Sequence, residues 1–136
     1  MLAFITEKKV VKEILEHLGL LPTGPPIADL IAGYRTLVSS AHRRGVRIVA
    51  TTITPFENAK AGPGYYTPEK ETVRQEVNAW IRGSGDFNAV VDRLLRDPDR
   101  PTRLLPAYDS GDHLHPNDAG YAAAVNAIPL SALGIR

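Results

Sequence analysis

Asp112 and His115 are the residues in this chain whose types and spacing best suit a reaction. They lie in the run Gly111-Asp112-His113-Leu114-His115-Pro116-Asn117-Asp118-Ala119-Gly120-Tyr121, an Asp three residues before a His, with a Pro-initiated helix expected directly after. A carboxylate at that spacing can reach Nδ1 of the imidazole and fix its tautomer. Nε2 is then free to take a proton from a nucleophile. The same run admits two other readings. His113-Leu114-His115 with Asp112 spells a possible Zn²⁺ ligand set. No other histidine lies nearby in sequence, so His113 reads instead as a partly exposed loop residue. His115-Pro116-Asn117-Asp118 also reads as a plain helix start, with Pro at the first helical position and Asp118 facing the helix dipole.

An acid and a base need a nucleophile, and none of the five serines suits the part. Ser39 and Ser40 fall inside an expected helix, and Ser84 sits in a Gly-Ser-Gly turn. Ser110 precedes the acid and Ser131 lies near the end. None follows a strand into the sharp turn that exposes a nucleophilic Oγ. Cysteine is absent, which removes disulfides, thiolate metal sites and a Cys nucleophile together. No cofactor and no metal are expected.

The elements that must hold this pair follow from periodicity. At 136 residues, 43% of them apolar and 23% charged, the chain suits one soluble domain with a real core. A net charge of +1 gives no reason to propose nucleic acid or an anionic membrane as a partner. Met1 to Lys9 offers too few apolar residues before charges begin to act as a signal peptide or a membrane span, so a cytoplasmic protein is expected. Thr6 can cap a helix over 7–18 with Val10, Val11, Ile14, Leu15 and Leu18 in one stripe, and Thr23-Gly24-Pro25-Pro26 reads as a linker.

Basic-residue usage then changes. Lys8, Lys9 and Lys12 give way after residue 26 to eleven Arg, with only Lys60 and Lys70. A helix is expected over 28–44, with Leu30, Ile31, Tyr34, Leu37, Val38 and Ala41 on one face. Residues 46–52 read as a buried strand, and Thr54 to Tyr66 as a Gly/Pro-containing loop long enough to suspect binding. Thr67 caps a helix over 68–82 with Val73, Val77, Trp80 and Ile81 inward. Residues 88–91 read as a second strand, Asp92 to Arg96 as a short helical turn, and 117–127 as the last helix. Arg93, Arg96, Arg100 and Arg103 interleave with Asp92, Asp97 and Asp99, the pattern of a solvated helical face. Alternation of this kind predicts an α/β fold with a parallel sheet.

Two resemblances attach to these residues. The D-x-x-H-P run resembles the last motif of the SGNH/GDSL hydrolases, and further blocks follow in family order. These are Ala41-His42-Arg43-Arg44-Gly45-Val46-Arg47-Ile48-Val49, Thr51-Thr52-Ile53-Thr54-Pro55-Phe56, Val73 to Arg82, and Leu104 to Asp112. The likeness spans residues 27–136 and covers the C-terminal half of that fold. Ala3 to Thr6, Ile14 to Leu20 and Gly24-Pro25-Pro26 resemble the C-terminal tail of bacterial insertion-sequence transposases.

The first resemblance implies a partial three-layer α/β/α, flavodoxin-like fold with a truncated parallel sheet. It also implies ester or thioester hydrolysis, with His115 as base and then acid, and Asp112 orienting it. The family's Gly-Asp-Ser nucleophile and its oxyanion-hole Gly and Asn would all precede residue 27, where residues 1–26 stand instead. The expectation is a truncated hydrolase, inactive alone, that acts on a small ester only if completed by a Ser-bearing partner chain. The other possibility is a non-catalytic fusion remnant or helical interaction module. Absent neighbouring strands imply an unpaired sheet edge and self-association through it.

Overall fold

The computed structural model describes residues 27–134, so the helix and linker expected over residues 1–26 lie outside the described residues. Three helices and two strands follow in order: α1 (Ile27–His42), β1 (Val49–Thr51), α2 (Pro68–Gly83), β2 (Ala89–Val91) and α3 (Asp118–Asn126). The strands pair in parallel, with Val49 opposite Ala89, Ala50 opposite Val90 and Thr51 opposite Val91. Crossing between parallel strands requires a long connection, and α2 supplies it. Described residues thus form an α/β arrangement around a two-stranded sheet. No helix among them is long and apolar enough to cross a membrane.

Each boundary has a physical cause. Thr67 caps α2 by accepting from the Lys70 amide, and Pro68 fills the first turn, where no donor is needed. The expected strand over 46–52 is trimmed at its start. Val46 still donates to Ala41 O as the chain leaves α1, and Arg47 turns its Nε to Ala132 O at 2.7 Å. The expected helical turn from Asp92 to Arg96 shrinks to one hydrogen-bonded turn, with Arg96 N donating to Arg93 O at 3.3 Å. Arg93 sits in the left-handed region at φ 56°, its amide donating to Thr52 Oγ1, which breaks a right-handed turn at its start. Arg96 instead makes an isolated antiparallel bridge with Leu104. The arginines of this stretch therefore do not form a helical face.

The core gathers Val38, Ile48, Phe56, Val77, Ile81, Val91, Leu95 and Leu104. Trp80 packs beside Tyr34 and Phe87, at ring-centroid distances of 5.6 and 5.5 Å, and joins α1 to α2. Leu37, expected inward, is 46% exposed; Val38 alone on α1 is fully buried.

The polar side of α2 holds the chain leaving β1. Arg74 is buried and forms a bidentate pair with Glu71, at 2.8 and 2.6 Å, while its Nη1 donates to Ile53 O. Asn78 accepts from the Ile53 amide at 2.7 Å and donates to the Ile53 carbonyl at 2.9 Å. Buried backbone groups must find partners, and these side chains supply them where the ladder stops.

Candidate active site

Asp112 and His115 lie on the loop between the short 3₁₀ turn Pro106–Tyr108 and α3. Asp112 Oδ2 meets His115 Nδ1 at 2.6 Å, as the three-residue spacing predicts. Its other oxygen accepts from the amides of Leu114 and His115 and from Ser110 Oγ, at 2.8–2.9 Å. Desolvation by burial works to raise the Asp112 pKa. The hydrogen bonds from the His115 ring, the two amides and Ser110 outweigh it and hold the carboxyl well below the usual range. An ionised carboxylate on Nδ1 fixes the tautomer with its lone pair on Nε2. The His115 side chain is 63% exposed, so that nitrogen is open to solvent and to a reactant.

A second pair interleaves with the first. Asp109 Oδ2 meets His113 Nδ1 at 2.5 Å, and Asp109 Oδ1 accepts from the amides of Gly111 and His113. Burial acts upward on Asp109 too, and the same three donors bring its pKa below the usual value. His113 takes a left-handed backbone, φ 62°, which costs a non-glycine residue energy that the Asp109 bonds offset. His113 is thus a partly exposed loop residue, as the sequence predicts, and the Asp109 bonds anchor it there. The spacing Asp109-x-x-x-His113 was a visible signal for it. Among the described residues, no group of three or more His, Cys, Asp or Glu side chains is arranged to hold a metal ion.

Backbone and helix contacts hold this loop from both ends. Ser110 N donates to His115 O, Asp109 bridges Pro116, and Asn117 N donates to Tyr108 O. Asn117 caps α3, which begins at Asp118 and not at Pro116. Its side-chain oxygen caps Gly120 N while its amide nitrogen reaches Ala107 O and Asp109 O. Pro116 therefore sits one residue before the cap and not at the first helical position, while Asp118 stands in the first turn as the helix-start reading expects. Gly120 is buried against the 3₁₀ turn: a Cβ there would lie 2.8 Å from Pro116 Cβ and 2.9 Å from Tyr108 O.

The Thr54 to Tyr66 loop docks on the same segment. Lys60 N donates to Asp112 O at 2.9 Å, and Lys60 Nζ to Gly111 O at 2.8 Å. Behind it Phe56 is buried, edge-on to Tyr65 and Tyr66. Burial, with a smaller contribution from the Asp112 charge, raises the Tyr65 pKa.

No serine completes a relay among the described residues, which include all five serines of the chain. Ser110 Oγ donates to the acid, on the side away from Nε2 of the base. Ser40 bonds Arg44, and Ser84 caps the turn after α2 through Asp86 N.

Comparison with known proteins bears on this loop. A search of curated proteins finds no match. The family model described as the GDSL-like Lipase/Acylhydrolase family matches residues 17–123. The matched stretch includes both strands, the aromatic loop and both Asp–His pairs. It begins inside the first 26 residues, the segment likened above to a transposase tail. Spanning most of the sequence, the match shows that this chain belongs to the GDSL-like lipase/acylhydrolase family.

Proposed function

We propose that the chain is a truncated ester hydrolase of this family that keeps the acid–base pair Asp112–His115 and does not turn over esters by itself. One observation carries the reading. The imidazole is oriented and open, yet the nearest serine in sequence, Ser110, bonds the carboxylate. In a completed site His115 Nε2 would take the proton of a serine hydroxyl as its oxygen attacks the ester carbonyl. The imidazolium would then give that proton to the leaving alkoxide, with Asp112 stabilising the charged ring in between. The described residues supply those two roles, with no serine hydroxyl bonded to the imidazole, and the sequence holds no Gly-Asp-Ser run. The reading goes with a partial three-layer α/β/α fold and with residues 1–26 as a transposase-like tail fused to it.

A hydrolase completed by a Ser-bearing partner chain is the second reading, favoured by the exposure of His115. Intact triad enzymes that lose one member keep roughly 10³–10⁴-fold acceleration from the oxyanion hole and binding. With nucleophile and oxyanion donors both absent, that remainder has no source. Purified protein is expected to hydrolyse short-chain aryl esters no faster than its His115→Ala variant. Saturable turnover abolished by His115→Ala, with one serine labelled by a fluorophosphonate, would overturn the proposal. Turnover that emerges only on adding a Ser-bearing chain would establish the second reading.

A further inference from the structure

A cavity of about 210 Å³ lies between α2 and α3, where the chain leaves the C-terminal ends of β1 and β2. Open parallel sheets hold ligands at that end. Its apolar wall comes from Val91, Leu94, Leu95 and Ala124. Its charged lining is almost all arginine: Arg74, Arg82, Arg93 and Arg96 face a single acid, Asp92. Arg74 is neutralised by Glu71. The remaining three share one carboxylate, because Asp92 meets Arg82 Nη1 and Arg93 Nε at 3.1 Å each. Arg96 Nε is buried and has no hydrogen-bond partner among the described residues.

Three cations at the rim and wall of an apolar cavity, the Arg96 Nε buried and Arg93 exposed, share one anion and favour a negatively charged guest. We propose that this cavity binds an anionic amphiphile, a carboxylate or phosphate head on a short apolar body. The head sits among Arg82, Arg93 and Arg96, and the body lies along Leu94, Leu95 and Ala124. The body is short because the cavity is smaller than the roughly 300–1,000 Å³ of drug-sized sites. Nothing in this assignment depends on ester hydrolysis; the cavity shares with the Asp–His loop only the wall formed by Pro116.

Calorimetric titration of the full chain with octanoate, octyl phosphate, octanol and acetate tests it, with amide NMR shifts to locate the site. Both octyl anions are expected to saturate and to shift residues of the cavity, and octanol and acetate to bind at least about tenfold more weakly. The tighter of the two anions identifies the head as carboxylate or phosphate. Arg96→Gln is expected to weaken the anions about tenfold or more, and Arg35→Gln, an exposed charge on α1, to leave them unchanged. Ala124→Leu fills the wall without touching a charge and is expected to abolish binding, with circular dichroism confirming that all three variants fold. Octanol binding as tightly as octanoate would overturn the proposal. So would equal loss in Arg35→Gln, shifts confined to another region, or no saturable binding of either anion.

Discussion

The loop from Asp109 to Asn117 and the sheet of β1 and β2 are built by opposite means. In the loop, nearly every polar group finds its partner within a few residues: Asp109 on Gly111 and His113, Asp112 on Ser110, Leu114 and His115. In the sheet, three residues of each strand pair across forty positions of sequence, and no further strand joins them among the described residues. Local bonding needs no distant part of a fold, whereas a sheet edge does not close without its neighbours. The comparison explains how a chemically organised Asp–His pair stands beside a sheet of two strands among the described residues.

If that contrast is right, the largest effect belongs to the sheet. We propose that the chain self-associates through the open edge of β1. Light scattering over a concentration series is expected to show mass rising with concentration. A sharp monomer at every concentration, with cooperative unfolding, would break the contrast.

Gly120 sharpens it from the loop's side. Gly120→Ala is expected to cost about 1–3 kcal/mol in urea unfolding, because its methyl group would meet Tyr108 O and Pro116. The helix propensity returned by alanine, at most about 1 kcal/mol, is too small to compensate. Gly83→Ala, with nothing within 4 Å, is the control and is expected to be neutral or slightly stabilising. Equal effects at the two glycines would show that α3 is not seated on the loop.

The smallest effect is a titration. The Asp112 pKa lies below its unfolded value, so its bonds stabilise the loop fully above the ordinary aspartate pKa of roughly 3.9. That contribution is lost as pH falls through the depressed value. Carboxyl-carbon NMR is expected to show an Asp112 midpoint below the ordinary one, moving upward in Ser110→Ala. An ordinary midpoint, unmoved by that change, would mean that the local bonds do not form in solution.

Legibility from sequence follows the same division. The Asp112–His115 contact was readable because its geometry is set by three residues of chain. The helix expected over 68–82 forms over Pro68–Gly83, and its start was readable because Thr67 and Pro68 mark it locally. The strand expected from residue 46 begins at Val49, because Arg47 is drawn to Ala132 O, a partner no local pattern announces. Glu71, Arg74 and Asn78 look like the solvated side of a helix. They are buried because Ile53, remote in sequence, needs partners for both of its peptide groups. Leu37 continues an apolar period yet stays exposed, since periodicity marks a face and not what covers it. Asp109–His113 was legible by spacing, but its role depends on a left-handed backbone that spacing does not reveal.

Asn78 has a consequence for how the molecule would yield under load. Its amide contacts Ile53 as a neighbouring peptide would, offering one acceptor and one donor to a single residue. The strand therefore ends on a clamp carried by α2, with Arg74 Nη1 as a second tether on the same carbonyl. Tension applied along β1 would be taken up at Ile53 before it reached Lys60 and, through it, the backbone of Asp112. The aromatic loop and the Asp–His segment are thus suspended from a helix. Strain along β1 is met at Ile53 ahead of the aromatic loop.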